Sequence, residues 1–155
     1  EEYNYIRHHG NWNDFLQNLD VINNLDHKIN FNMLHFILNY KGIHNCIDLL
    51  KGKGFHDNSF VIGPLYSPLH LNMLNLPLEM LNNVVQSLKD KLNNNPQGYL
   101  KNSYENLLKY YTTTKFEKNL KSFYYKVDMM DQRRNQNSRL IFSDLFKELD
   151  AYTLE

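Results

Sequence analysis

Hydrophobic residues follow one another most densely between Ile29 and Asn39. From Phe31 to Leu38 both alternating faces carry apolar residues, and His35 interrupts the run. A strand with water on one side alternates apolar and polar positions, whereas a parallel strand covered on both sides does not. The pattern therefore predicts a fully buried strand over Ile29–Asn39, around which the rest of the chain packs.

A second apolar run, Ser59–Leu65, predicts a second strand that is broken by Pro64. The connection between the strands is too long for a hairpin and contains a predicted helix, Ile43–Lys51. Such a connection predicts a parallel, right-handed pair. The carboxyl ends of both strands then meet at one rim, where parallel α/β folds bind ligands. The residues expected at this rim are Asn39, Tyr40, Pro64, Leu65 and Tyr66.

Three-and-four spacing of apolar residues predicts the remaining helices. They run from Asn11 or Asn13 to Leu25, from Pro77 to the Asn93–Pro96 stop, from Gly98 to Tyr111, from Lys115 to Arg134, and onward from Ser143. The chain thus consists of two βα steps followed by an all-helical tail. Because two parallel strands do not form a stable sheet with both faces buried, the sheet is expected to continue in a missing N-terminal part or in another chain.

The composition of the chain excludes several classes of function and site. The 155 residues amount to one domain, and 17 Lys and Arg balance 17 Asp and Glu, so the net charge draws the chain toward neither nucleic acid nor anionic membrane. A single cysteine, Cys46, excludes a disulfide or a Cys-based metal site within the chain. No apolar run reaches the roughly 20 residues of a membrane span, and no signal peptide opens the chain, so a cytoplasmic location is predicted. An opening Glu1-Glu2-Tyr3 without Met is typical of a piece of a longer protein.

Several short motifs occur in a specific order. The first ones are Glu2–Arg7 (EYNYIR), Gly10–Asn13 (GNWN) and Asn18-Leu19, followed by Phe36–Asn39 (FILN). This order resembles the region after the fourth strand of a radical S-adenosylmethionine barrel. In the subgroup with an additional "twitch" iron-sulfur region, an EYIR…NW…NL pattern precedes a fifth strand that ends in asparagine.

The remaining motifs extend the resemblance over almost the whole chain. Tyr66–Pro77 is similar to the subgroup's P-x-Y-L-x-I-x-x-L-P, and Met130–Asn135 with Ile141–Leu145 is similar to its closing L-D-x-x-R-G…F-P-E-L. Two positions depart from the pattern, because Asn135 stands in place of glycine and Ser143 in place of proline.

The resemblance implies an α/β fold: the C-terminal part of a partial parallel βα barrel, with two parallel strands, a crossover helix and an all-helical C-terminal tail. Residues 1–76 would be the barrel units, and residues 77–155 the tail that packs on them. The complete enzyme would cleave S-adenosylmethionine reductively and abstract hydrogen from a substrate, either a small molecule or a peptide. Its partner is then the missing N-terminal half of the barrel.

The family's Cys-x-x-x-Cys-x-x-Cys loop, whose thiolates hold a [4Fe-4S] cluster, has no counterpart in this chain. The chain alone is therefore expected to be inactive and to bind neither cluster nor S-adenosylmethionine. The resemblance places Arg7 near the S-adenosylmethionine, and its position at the strand rim makes Asn39 a candidate donor to a ribose or carboxylate, so both are expected to bind cofactor. No catalytic or metal-binding residue is assigned. For Arg7 the alternative is a surface pair with Glu1 or Glu2, and for Asn39 it is turn formation at the end of a strand.

Other polar residues have simpler interpretations. His35 is predicted to be a core histidine with satisfied hydrogen bonds instead of a base. Zinc-site spacing is lacking for His8, His9, His44, His56 and His70. Asp131 and Arg134, at helical spacing, form either a pair that locks the last helix to the barrel or an exposed ion pair.

Two alternative functions stay open: a non-enzymatic helical interaction module and a basic-faced RNA-binding domain. For the second, several lysines alternate with aromatic residues, as in single-strand binders, although helical periodicity favours a solvated face and a buried aromatic stripe. Nucleic acid is therefore not the expected partner. The lysines are Lys101, Lys109, Lys115, Lys118, Lys121 and Lys126, and the aromatic residues are Tyr110, Tyr111, Phe123, Tyr124 and Tyr125.

Overall fold

The computed structural model describes residues 1–7, 9–23 and 28–153. Leu25, the last residue predicted for the first helical stripe, lies outside the described residues. The chain forms two compact units: Glu1–Lys28 with Lys121–Glu155, and Ile29–Leu120. Across the described ranges, no helix combines the length and the apolar character needed to cross a bilayer.

The fold is mixed α/β and mostly helical, as predicted at the level of class. The elements are α1 (Glu2–Ile6), α2 (Trp12–Asn23), β1 (Phe31–His35), α3 (Gly42–Gly52), β2 (Phe60–Pro64), α4 (Leu78–Asn93), α5 (Gly98–Thr113), α6 (Leu120–Arg134), α7 (Ser138–Ile141) and α8 (Ser143–Thr153). The predicted helices all appear, although α6 begins at Leu120 instead of Lys115. The short helices α1 and α7 were not predicted, since neither is long enough to show a helical period.

In the unit Ile29–Leu120, β1 and β2 pair in parallel with α3 between them in the chain, which confirms the predicted pairing. The register runs from Phe31 opposite Phe60 to His35 opposite Pro64. The next bond follows the same ladder, because the Leu65 N–H donates to the His35 carbonyl at 3.2 Å. Both strands therefore end at one rim.

The prediction of a buried strand over Ile29–Asn39 is wrong in length and in burial. The strand ends at His35, and Ile37–Asn39 form a 3₁₀ turn. Leu34 in the strand is 50 % exposed, whereas Ile37 and Leu38 in the turn are buried. A short apolar run is compatible with either conformation, so periodicity alone did not reveal where the strand stops.

The two faces of this sheet have different surroundings. Opposed residues share a face, so one face carries the half-buried Phe31 and Met33 and the buried His35, Phe60, Ile62 and Pro64. The other face carries Asn32, Leu34, Val61 and Gly63, and the first three of these are exposed. Helix α5 packs against β2 and against α4, as expected of tail helices that cover the strands. The predicted division between residues 76 and 77 stays a prediction.

The unit that joins the two ends of the chain is helical in its described residues. Its most buried large side chains belong to α1, α6 and α8: Tyr5, Phe123, Val127 and Leu149. The ring of Tyr5 meets the ring of Phe142 edge-on at 5.2 Å between centroids. Helix α1 and α7 are in contact, so the first residues of the chain are held against its last third.

Candidate functional site at the carboxyl ends of the strands

The turn that follows β1 is held by the side-chain amide of Asn39. Its Nδ2 donates to the Leu34 carbonyl at 2.7 Å, and its Oδ1 accepts from the Phe36 N–H at 2.9 Å. Asparagine suits this role because its short side chain reaches nearby backbone groups. A ligand at Asn39 would be left with the second Nδ2 hydrogen and the second Oδ1 lone pair. Cofactor binding by Asn39 stays a prediction.

Arg7, the other predicted cofactor-binding residue, ends α1 with an exposed side chain. Its backbone is fixed by two bonds: its N–H donates to the Tyr3 carbonyl at 2.8 Å, and its carbonyl accepts from the Gly10 N–H at 2.6 Å. Arg7 and Asn39 belong to different compact units. The guanidinium is free to meet an anionic ligand in water, and this role stays a prediction as well.

His35 lies behind the Asn39 turn and is fully buried. Its Nε2 is 3.2 Å from the Tyr40 carbonyl, and its Nδ1 is 3.1 Å from the Tyr111 hydroxyl. A carbonyl only accepts, so the proton sits on Nε2 and the Tyr111 hydroxyl donates to Nδ1. Burial lowers the pKa of His35 to about 4, against the opposing effect of the Tyr40 carbonyl. The prediction of a satisfied core histidine is confirmed.

A second histidine extends this arrangement. His44 on α3 is 8 % exposed, and its ring centroid lies 6.1 Å from that of His35 and 5.7 Å from that of Tyr104. Burial, together with the charge of Lys91, lowers the pKa of His44 to about 4. Its Nδ1 is buried and has no hydrogen-bond partner among the described residues.

We call His35, His44, Tyr104 and Tyr111 the His–Tyr cluster. Burial raises the pKa of both tyrosines, so all four groups are neutral near pH 7. Sequence analysis identified only His35 as a core residue with polar partners. Tyr111 is 76 positions away, and no local pattern connects the two.

The solvent side of the rim is aromatic. Tyr66, which follows β2, is 63 % exposed, and its ring meets that of Tyr110 edge-on at 5.2 Å. The amide of Asn72 donates to the Leu65 carbonyl at 2.7 Å and to the Tyr110 hydroxyl at 2.9 Å. These bonds attach the connector after β2 to α5. The rim therefore presents an anchored aromatic pair on which a planar ligand can stack.

A different polar group lies in the helical unit. The Asp131 carboxylate accepts three bonds: from the Tyr5 hydroxyl at 2.8 Å, from the Ser138 N–H at 2.8 Å and from the Ser138 hydroxyl at 2.7 Å. Arg134 Nη1 donates to the Tyr5 carbonyl at 3.0 Å. We call these four residues the Asp131 clamp. Burial first, and then the bond to Asp131, raises the pKa of Tyr5.

The clamp corrects the predicted pairing of Asp131 with Arg134. Both residues connect the end of α6 to other segments, but each does so through Tyr5 instead of through the other. The physical reason is that the α7 N-terminus offers unpaired backbone N–H groups, which a carboxylate satisfies. Sequence spacing alone showed the neighbours within α6 and not these distant donors.

The lysines considered for RNA binding differ in their surroundings. Lys118 donates to the Leu76 carbonyl at 2.8 Å, and burial lowers its pKa. Lys101 lies 3.9 Å from Glu105. Lys121 and Lys126 belong to a different compact unit from the other four lysines. Of the interleaved aromatic residues, Tyr111 and Phe123 are buried and cannot stack on bases.

Cys46 is half-buried in α3, and burial raises the pKa of its thiol. Over residues 1–7, 9–23 and 28–153, no three side chains of His, Cys, Asp or Glu are grouped so as to hold a metal ion. Comparisons with protein families, with curated proteins and with solved structures each find no match for this chain. Function therefore has to be argued from the geometry and the motifs.

Proposed function

We propose that this chain is the C-terminal part of a radical S-adenosylmethionine enzyme of the twitch subgroup. The main support for the proposal is the backbone conformation at two positions where the sequence departs from the subgroup's pattern. Asn135 and Ser143 replace a glycine and a proline. Both residues stand at helix ends whose backbone would also suit the glycine and the proline of the pattern, and this agreement supports the resemblance.

Asn135 has a φ of 51°, in the left-handed region that favours glycine. It follows directly on Arg134, the last residue of α6. The Gln136 N–H donates back to the Asp131 carbonyl at 3.1 Å, which closes the helix end. Glycine is the commonest residue at such a left-handed helix end, and asparagine is the usual substitute. The turn is therefore one that a glycine would serve.

Ser143 is the first residue of α8. Proline is enriched at the first position of a helix, because the N–H it lacks has no partner within the helix there and its φ is already helical. Asn135 and Ser143 thus stand in the conformations typical of the residues they replace. The two positions are independent, because one ends a helix and the other begins one.

The sheet supports the proposal in a second way. Two parallel strands with one face open, and α3 between them in sequence, are the repeating unit of a parallel βα barrel. A sheet of this size is marginal without further strands. In the proposed enzyme, the strands that complete the barrel belong to a part of the protein that precedes Glu1.

In the complete protein, a cluster held by three thiolates of the preceding part would supply the electron that cleaves S-adenosylmethionine. This chain would contribute binding and orientation at the rim. The Tyr66–Tyr110 pair offers a ring for stacking. For Arg7, a contact with the cofactor is what the resemblance implies. The His–Tyr cluster, being neutral, would hold the end of β1 in place without adding a charge to the site.

The test begins with the coding sequence upstream of Glu1. We expect a Cys-x-x-x-Cys-x-x-Cys motif within about one domain's length. The longer protein, reconstituted anaerobically with iron and sulfide, should show the electron paramagnetic resonance of a reduced [4Fe-4S] cluster and release 5′-deoxyadenosine from S-adenosylmethionine. Arg7→Ala should weaken cofactor binding, and Lys89→Ala, on the exposed side of α4, is the matched control. An authentic start at Glu1, or a longer protein without the motif, contradicts the proposal.

A further inference from the structure

Residues 114–119 join α5 to α6 and belong to neither helix. We call this segment the strap. Two bonds hold its end on the connector after β2: the Lys118 Nζ donates to the Leu76 carbonyl at 2.8 Å, and the Asn119 N–H donates to the Asn75 Oδ1 at 2.8 Å. Leu76 and Asn75 are buried, whereas Lys118 and Asn119 are exposed. The strap thus lies on the outside of the connector and is fastened to it by polar groups.

The backbone that accepts the Lys118 bond is held in place from within the connector. The Leu76 N–H donates to the Met73 carbonyl at 3.0 Å, and the Asn75 Nδ2 donates to the Leu69 carbonyl at 2.6 Å. Lys118 therefore has a fixed backbone carbonyl as its partner.

The partner of Lys118 differs in kind from the partners of several other lysines. Three lysines are paired with carboxylates: Lys51 with Asp57 at 2.7 Å, Lys91 with Asp48 at 3.3 Å and Lys101 with Glu105 at 3.9 Å. A nearby carboxylate favours the charged ammonium, which has no lone pair with which to react. A carbonyl accepts a hydrogen bond from the ammonium and from the neutral amine alike. Lys118 can therefore lose a proton and keep its partner.

The surroundings of Lys118 favour that loss. Burial lowers the pKa of its amine, and none of the described carboxylates forms an ion pair with it. In the neutral amine, one N–H bonds to the Leu76 carbonyl, while the lone pair points in another direction. Because the side chain as a whole is exposed, a reagent in solution can reach the nitrogen.

We propose that Lys118 is a modification site at which an acyl thioester acylates the Nζ atom, and that acylation loosens the strap. The neutral amine attacks the carbonyl carbon of the thioester. A C–N bond forms, the C–S bond breaks, and the thiolate leaves with the electron pair of that bond and takes up the proton that the nitrogen gives up. The product is an uncharged amide with one N–H. Its bond to the Leu76 carbonyl is no longer assisted by charge, and such bonds are weaker than charge-assisted ones.

Competition among the lysines of one molecule tests the reactivity. The 155-residue chain is treated with a limiting amount of acetyl-coenzyme A at pH 7.5, and peptide mass spectrometry gives the acetylated fraction at each lysine. Lys118 should react at least about threefold faster than Lys115, an exposed lysine of the same strap. In urea, where the strap is unfolded, the two rates should become equal. A folded chain in which Lys118 reacts no faster than Lys115, or a difference that persists in urea, overturns the proposal.

Amide hydrogen exchange of Asn119, measured by NMR, tests the effect on the strap. Lys118→Gln carries a neutral amide in place of the ammonium and should make the Asn119 amide exchange about threefold faster or more. Lys118→Arg keeps a charged donor and should stay close to the unchanged chain. Lys115→Gln removes a charge from the strap without touching this bond and is the matched control, and the Ile62 amide, bonded to Ser103, is the internal reference. An Asn119 amide that does not respond to Lys118→Gln, or that responds equally to Lys115→Gln, overturns the proposed loosening.

Discussion

The His–Tyr cluster and the Asp131 clamp both connect distant segments of the chain, but they do so with different chemical groups. Each joins residues that are far apart in the chain, His35 with Tyr111 over 76 positions and Tyr5 with Asp131 over 126. The cluster lies in the core of the sheet unit and consists of neutral rings. The clamp lies at a helix end, only partly buried, and is built around a carboxylate.

The difference follows from how strongly each place excludes water. A charge in a fully enclosed core is expensive unless it is paired, so His35 is held neutral and each of its nitrogens has a partner. At the clamp, Asp131 is only partly buried and accepts from the Ser138 N–H at the start of α7. The cluster is therefore sensitive to added protons, and the clamp is sensitive to loss of its acceptor.

Lowering the pH should have the largest effect on stability, and the effect should come from the His–Tyr cluster. Burial lowers the pKa of His35 and of His44 from 6.5 to about 4, so between these values the unfolded chain binds protons that the folded chain does not. Stability from this source is complete above about pH 6.5 and falls as pH drops toward about 4. The loss should reach about 3 kcal/mol for His35, with a smaller contribution from His44.

Urea unfolding followed by circular dichroism between pH 7.5 and 4.5 measures this loss. His44→Asn should flatten the pH dependence in part. A free energy of unfolding that stays level from pH 7 to pH 4.5 would show that the two histidines are not held neutral.

Asp131→Ala should have the next largest effect. It leaves the Tyr5 hydroxyl and two donors of Ser138 without their acceptor, which costs about 2–3 kcal/mol of the free energy of unfolding. Asp128→Ala, on the exposed side of the same helix, is the matched control and should change stability little. Chemical denaturation of both variants at pH 7 makes the comparison, and equal midpoints would show that the clamp does not stabilise the unit.

Tyr111→Phe should cost about 1–2 kcal/mol, because the His35 Nδ1 is then buried without a donor. The variant should also shift the His35 tautomer or its titration, which ¹⁵N chemical shifts of the imidazole report. Tyr99→Phe, at an exposed position on the same helix, is the control. Unchanged imidazole shifts in Tyr111→Phe would mean that the hydroxyl does not donate to His35.

Tyr5→Phe should have the smallest effect, about 1 kcal/mol or less, because Asp131 keeps both bonds from Ser138 and some access to water. Both variants remove one tyrosine hydroxyl. In Tyr5→Phe its partner is the charged Asp131, and in Tyr111→Phe its partner is the neutral His35. Thermal unfolding of the two variants side by side provides the measurement. A larger loss for Tyr5→Phe than for Tyr111→Phe would reverse the proposed ranking.

Local sequence was enough to specify most of the helices and the direction of the strands. Pro77 precedes α4, Gly98 begins α5, and apolar spacing places their buried sides. The length of the link between β1 and β2, with a helix inside it, predicted a parallel pair, as the structure shows. These features depend on neighbours within a few residues, or on chain length alone, and both can be read along a sequence.

The extent of β1 could not be read in this way. Phe36–Leu38 are apolar and buried as predicted, yet they turn away from the strand because the Asn39 amide bonds to Leu34 and Phe36. Leu34 is exposed because no described element covers its face of the sheet. An apolar side chain favours burial, but it is buried only where another part of the chain packs against it.

The His–Tyr cluster and the Asp131 clamp also could not be predicted in full from the sequence. The residue types of His35 and Asp131 were visible, as was the helical spacing of Asp131 and Arg134, but their hydrogen-bond partners were not. Tyr111 and Tyr5 reach them because α5 packs on the sheet and α1 packs on α7. Helix geometry alone brings a side chain close to residues three and four positions away. Partners that are distant in the sequence come close only when apolar surfaces pack together as the chain folds.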